Sequence, residues 1–245
     1  MSNVFRIFIH YFRRALIDPL GIIMLTVVPI ALILLNVFIF NANVDMELIN
    51  GYCAAATGAS VMITVMFQFF GGMYISEWIH EDFRGAQRWR LFSAPVSQSK
   101  FVFSAAIASW LITIVQALVI VVFSRLVLNA YWGNFRFWVP AILVLSLISQ
   151  LVYIIIALFT KTKRTAEAIG HAITFGMAVM GGIMFIQIEF LARIPTPMSA
   201  AMRAISYSSF IGDDTRVATT NLLILFGFLV VLAVAAVISG RRRKI

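Results

Sequence analysis

The chain has 245 residues, of which 62% are hydrophobic and 12% charged, and its mean hydropathy is +0.97. A soluble domain of that length cannot hide so much apolar surface, so the composition excludes a soluble protein and points to an integral membrane protein. The apolar runs are continuous rather than alternating, which favours helical spans over a barrel. The formal charge is +9, and the single cysteine, Cys53, excludes an intrachain disulfide.

In chain order, residues 3–17 place Phe5, Phe8, Phe12 and Ala15 on one helical face and Arg6, His10 and Arg13 on another. This predicts an interfacial helix over residues 1–19, stopped at Pro19. The apolar run Leu20 to Phe40 overshoots a signal-peptide core of about 7–15 residues and is read as the first span, with Pro29 a candidate kink. Further spans are expected at 52–75, 101–126, 138–159, 168–188 and 220–239. Cys53 is expected to pack within the second of them, beside Ala54, Ala55 and Ala56. The fold class is therefore all-α, a single transmembrane domain of six helices.

The linkers orient these spans. One side collects the N-terminus, 77–100, 160–167 and the C-terminus, with 14 of the 19 basic residues and net charge +9; the other side has net charge zero. By the positive-inside rule both termini are expected in the cytosol, in a plasma-membrane protein. The basic residues are thus topology signals, and nucleic acid is not an expected partner. Trp132, Phe135, Phe137 and Trp138 read as an aromatic belt at the outer boundary. The terminal Arg241-Arg242-Arg243-Lys244 run is a stop signal that attracts anionic membrane lipid.

A charged island, residues 77–97, separates the second and third spans. Read as a helix, it puts Trp78, Ile79, Phe83, Ala86 and Trp89 on one face and Glu77, Glu81, Arg84 and Arg88 on the other. Glu81 and Arg84 are spaced to pair, worth about 0.2–0.5 kcal/mol. By periodicity alone it is an amphipathic helix at headgroup level. The order Glu81-Asp82, Arg84-Gly85, Leu91-Phe92, Pro95-Val96-Ser97 resembles the coupling-helix segment of type-2 ABC transporter permeases. Ala86 and Gln87 stand where that family usually has Thr and Glu.

The segment 189–219 is too apolar for a free loop and is broken by Pro195 and Pro197, so short helices in or dipping into the outer leaflet are expected. Gly181-Gly182, the two prolines and Ile205-Ser206-Tyr207 are similar to the last third of the same permeases. Ser209-Phe210 departs from their usual Asn-Pro or Ser-Pro.

The resemblance implies a permease subunit of an ATP-driven exporter for a small or amphipathic substrate. Its implied partners are two cytosolic ATPase subunits and a second permease subunit, identical or related. Glu81, Asp82, Arg84, Gly85, Arg88, Leu91, Phe92 and Pro95 are the implied ATPase-coupling residues. No glycine is followed by lysine, so the chain has no P-loop; ATP and Mg belong to the partner, and this chain is expected to bind no cofactor or metal and to catalyse nothing. Polar residues stripe several spans: Thr57, Ser60, Thr64 and Gln68; Ser109, Thr113 and Gln116; Ser146, Gln150 and Tyr153. Each stripe reads either as interhelical hydrogen bonding or as the lining of a substrate path. Glu189 reads as a path residue, a snorkelling acid or a partner of Arg193. The alternative function is a stand-alone secondary transporter or channel, which needs ionisable groups near mid-membrane.

Overall fold

The computed structural model describes residues 3–43, 48–49, 52–86, 88–89, 93, 97–182, 194–209 and 214–243. Helix α1 (Asn3–Ile17) ends at Asp18, whose carboxylate caps the next helix by accepting from the Leu20 amide at 3.2 Å, with Pro19 in the first helical turn. The first span is α2 (Pro19–Ile22), a π-helical turn (Ile23–Val27) and α3 (Val28–Asn43). The wide turn falls just before Pro29, which cannot donate to the Leu25 carbonyl and would crowd it in a regular helix.

Two-residue strands, β1 (Leu48–Ile49) and β2 (Tyr52–Cys53), pair antiparallel. Cys53 is therefore not inside the helix but in the extended residue before it, buried. Then come α4 (Ala54–Phe70), α5 (Met73–Arg84), α6 (Gln98–Val127), α7 (Phe135–Phe159), α8 (Lys163–Met180), α9 (Pro197–Ser209) and α10 (Thr215–Arg243). Thr162 caps α8 and Asp214 caps α10 through backbone amides two or three residues on.

Helix α7 is the hub, packing on α4, α5, α6, α8, α9 and α10. Tyr153, Leu145 and Ile148 on it, with Phe69, Ile75, Met198 and Ile205, form the fully buried core. Helix α1 lies along α6, and Tyr11 and Ala15 sit at the centre of its buried face. The expected apolar face is kept at Phe8, Phe12 and Ala15, which pack against the core, while Phe5 is exposed.

Contacts fix the direction of each traverse. Arg14, Glu81 and Lys163 meet at one end, where Ser99, Leu158 and Arg241 also lie together. At the other end the Cys53 amide donates to the Asn129 carbonyl, and Gly133 packs against the backbone of Ser208. Lys163 and Ser208, on either side of residues 183–193, therefore lie at opposite ends. Among the described residues five helices are long and apolar enough to span a membrane: Pro19–Ile39, Ala54–Arg84, Gln98–Val127, Phe135–Phe159 and Thr215–Arg241. The expected span at 168–188 is helical in α8 as far as Met180, and its end lies outside the described residues.

One expectation is corrected at the other end. Trp132 is not a lipid-facing belt residue: it is buried, with its indole N–H donating to Ser124 Oγ at 2.9 Å, whereas Phe135 is exposed. In the segment 189–219 the short helix α9 packs inside the subunit, with Met198, Ala201, Ala204 and Ile205 fully buried between α4, α7, α8 and α10.

Candidate coupling site at the charged end of the bundle

The site is built on a helix that enters the membrane region and leaves it without a loop. Helices α4 and α5 form one span, Ala54–Arg84, broken only by the turn at Gly71-Gly72. Two helices, α6 and α7, close on that turn. A Cβ on Gly72 would sit 2.7 Å from the Ser149 carbonyl oxygen and 2.5 Å from the Tyr153 ring, and one on Gly71 would sit 2.2 Å from Thr113. The freed backbone groups are satisfied from outside: the Gly72 amide donates to Ser149 Oγ at 2.9 Å, Ser149 donates to the Phe69 carbonyl, and Ser109 donates to the Gly71 carbonyl at 3.3 Å. Glycine pairing plus two serines thus lets the span bend without an orphaned donor.

Beyond the turn, α5 carries its acids into internal contacts. Tyr11 donates to Asp82 at 2.5 Å and Arg14 to the other oxygen of the same carboxylate at 3.2 Å. Glu81, spaced in sequence to meet Arg84, bonds Arg14 of α1 and Lys163 of α8. Lys163 also donates to Glu77. Tyr11 stacks on Trp78, ring centroids 5.1 Å apart. Burial, reinforced by the Asp82 hydrogen bond, pushes the Tyr11 phenol well above its ordinary range, so it stays a donor. Burial pulls the Lys163 ammonium down, but its bonds to Glu77 and Glu81 outweigh this and hold it above its usual value.

The last turn is tied to α7. His80 is buried, and its Nδ1 lies 2.8 Å from the Ser76 carbonyl, so Nδ1 carries the proton and donates. Its Nε2 then accepts from Arg84 at 3.2 Å, and a second Arg84 nitrogen donates to the Ala157 carbonyl at 3.0 Å. Sequence reasoning missed His80 as a bracket residue; its i+4 spacing to Arg84 was the available signal. The helix ends at Gly85, whose amide donates to Glu81 O at 3.1 Å and where a Cβ would sit 2.2 Å from that oxygen. The single helix expected over 77–97 is therefore interrupted: Trp78 and Ile79 are buried in the bundle, while Ala86 and Trp89 are exposed. Arg88 and Trp89 are helical again, with the Arg88 guanidinium 4.8 Å above the Trp89 ring.

Of the residues implied for coupling, Glu81, Asp82, Arg84 and Gly85 converge with α1, α7 and α8, and Arg88 stands free of the bundle beside Trp89. Leu91, Phe92 and Pro95 lie outside the described residues, as does Glu189. A depression of about 500 Å³ opens beside the bracket, between His10 and Arg14 of α1 and Glu81, Asp82, Gly85 and Ala86. Thr57, Ser60, Thr64 and Gln68 are all buried inside the subunit. Thr57 donates to the Cys53 carbonyl and accepts from the Tyr131 amide, each at 2.9 Å. Ser60 Oγ, Thr64 Oγ1 and Gln68 Nε2 have no hydrogen-bond partner among the described residues.

Apolar helices crossing end to end, with ionic contacts gathered at one end, define a multi-pass, all-α membrane protein. The model of the ABC-2 family transporter protein matches residues 50–238, well over half of the chain, and the chain belongs to that family. It is a transmembrane transport subunit of an ABC transporter. Family membership implies association with an ABC ATPase. No curated protein matches the chain. Helix α1, which supplies Tyr11 and Arg14 to the bracket, precedes the matched region.

Proposed function

We propose that the chain is the permease subunit of an exporter, working in the plasma membrane as a pair of permeases with two separate cytosolic ATPases. The charged end faces the cytosol, and the segment after Arg84 receives the stroke of the ATPases. The observation that carries this reading is Trp89: a tryptophan 68% exposed, under a guanidinium, directly after a helix clamped to α1, α7 and α8. Exposed Trp–Arg pairs are the residue types that anchor protein interfaces. The clamp gives the push a rigid lever, because α5 continues into the most deeply buried span. Movement there would open a path beside the polar face of α4, at Thr57, Ser60, Thr64 and Gln68, for a small or amphipathic substrate.

Arg84 and Gly85 are structural within the subunit, so the test falls on Arg88 and Trp89. Trp89→Ala and Arg88→Glu are expected to leave membrane abundance and melting unchanged while ATPase co-purification falls at least about tenfold. ATP-dependent efflux falls with it. Efflux that persists without any ATPase would mean a stand-alone transporter instead.

A further inference from the structure

A second site lies away from the bracket. Helices α6, α7 and α10 leave a cleft of about 710 Å³ between them. Its width comes from small residues: Ala106 on α6 and Ala233, Ala236 and Gly240 on α10 face the larger side chains of α7. It runs from Ser99, Leu158 and Arg241 at the charged end to Trp110, Leu147 and Leu229. That is 11 or 12 residues on each helix, about 17 Å. One leaflet of the hydrocarbon core is about 15 Å thick. The cleft thus has the depth of one leaflet, and its rim is open to the bilayer, where Phe103 and Val237 are exposed.

Two polar features interrupt the apolar lining. Among the described residues Arg241 is the one charged residue lining the cleft, and it sits at the mouth, with Arg242, Arg243 and Lys244 next in sequence. Gln150 lines the wall about 12 Å further in, eight residues before Leu158. It is 3% exposed, and neither its amide nitrogen nor its amide oxygen has a partner among the described residues. A buried amide without partners is costly, and turning the side chain toward a polar ligand atom at that depth would remove the cost.

We propose that this cleft binds one anionic lipid of the leaflet at the charged end, with its tail along α7 between α6 and α10 and its headgroup on Arg241. The positive mouth selects the anionic headgroup. The Gln150 amide selects a tail bearing a mid-chain hydroxyl or carbonyl over a plain one. The site is independent of the ATPase and of transport direction, so the chain alone suffices to test it.

The probes are photoactivatable phosphatidylglycerol and phosphatidylcholine, each with plain or mid-chain hydroxylated tails. The purified chain is held in nanodiscs, and the adducts are mapped by peptide mass spectrometry. Phosphatidylglycerol is expected to label α6, α7 and α10 around the cleft in preference to phosphatidylcholine. Arg241→Gln is expected to cut that preference about fivefold, the weight of one basic residue at a membrane surface. Ala236→Trp, which fills the cleft from a partly exposed position, should abolish labelling there while the protein stays monodisperse. Should that variant fail to fold, the pair Arg241→Gln and Gln150→Leu decides. The hydroxylated tail should label more strongly than the plain one in wild type and equally in Gln150→Leu. Equal labelling by the two headgroups, or adducts confined to other helices, overturns the site; equal labelling by the two tails in wild type overturns the role of Gln150.

Discussion

The second span and the last span are built on opposite terms. In Ala54–Arg84, 67% of the membrane window is buried and its mean hydropathy is 1.4; in Thr215–Arg241 only 6% is buried and the hydropathy is 3.0. The more apolar helix is the less buried one. In water the reverse holds, because burial there rewards apolar surface. In a bilayer the lipid is as apolar as a leucine core, so an exposed helix must be apolar all round, while an inner helix can carry Ser, Thr, Gln and Gly for close packing and interhelical hydrogen bonds. Between these two spans hydropathy therefore reports contact with lipid rather than with the core, whereas the hub helix α7 is both apolar, at 2.7, and 61% buried.

The sharpest way to break this contrast uses a glycine from each span. Gly72→Val puts a side chain into the Ser149 backbone and Tyr153, with an expected loss of about 3 kcal/mol or more and little monodisperse protein in detergent. Gly227→Leu in α10 meets open space, and its expected effect on melting is within about 0.5 kcal/mol. Equal damage from both would mean that α10 is covered, most directly by a second subunit, and the contrast would then hold only for the isolated chain.

A smaller change probes the polar side of the same difference. Ser149→Ala leaves the buried Gly72 amide only its longer bond to the Phe69 carbonyl at 3.4 Å, with an expected cost of about 0.5–1.5 kcal/mol in thermal unfolding. A serine-to-alanine change at Ser239, near the end of α10, serves as the control and should be silent; a silent Ser149→Ala would remove the bent-span account of the turn.

The bracket yields a graded pair. Arg14 and Asp82 are partly shielded, so a double-mutant cycle with Arg14→Gln and Asp82→Asn should give a coupling of about 1 kcal/mol. Lys163 and Glu77 are more exposed, and their cycle should give between about 0 and 1 kcal/mol, falling with added salt. If the second coupling exceeds the first, the clamp is centred on α8 rather than α1.

The smallest expected effect is a pH dependence. The Tyr11 phenol titrates higher in the folded state than its ordinary value of about 10. Its contribution is therefore complete below pH about 10 and is lost progressively as pH rises from there toward the folded-state value. The melting temperature of wild type should fall more steeply above pH about 10 than that of Tyr11→Phe. Parallel slopes would assign the alkaline transition to another group.

Much of the architecture was legible in the residues. Apolar run lengths located five of the six expected spans, and the charge asymmetry grouped the N-terminus, 77–100, 160–167 and the C-terminus, whose described residues Arg14, Glu81, Ser99, Lys163 and Arg241 the structure brings to one end. The resemblance at Glu81 to Ser97 and at Ile205-Ser206-Tyr207 pointed to the family that the match over 50–238 shows. Those signals are local: a run of twenty apolar residues or a short motif needs no partner to be read.

Tertiary structure alone decided which side of each helix matters. Residue spacing paired Glu81 with Arg84, but Arg14 and Lys163, 67 and 82 residues away, take that carboxylate. Periodicity extended one helix through residue 97, but the backbone turns extended at Gly85 and the helix ends at Arg84. Composition put Trp132 at the lipid boundary, but Ser124 accepts its indole N–H inside the bundle. For Glu81 and Trp132 the deciding atom sits on another helix. Hydropathy gives the membrane no preference among the faces of an apolar helix, so only packing against a neighbour could make that choice.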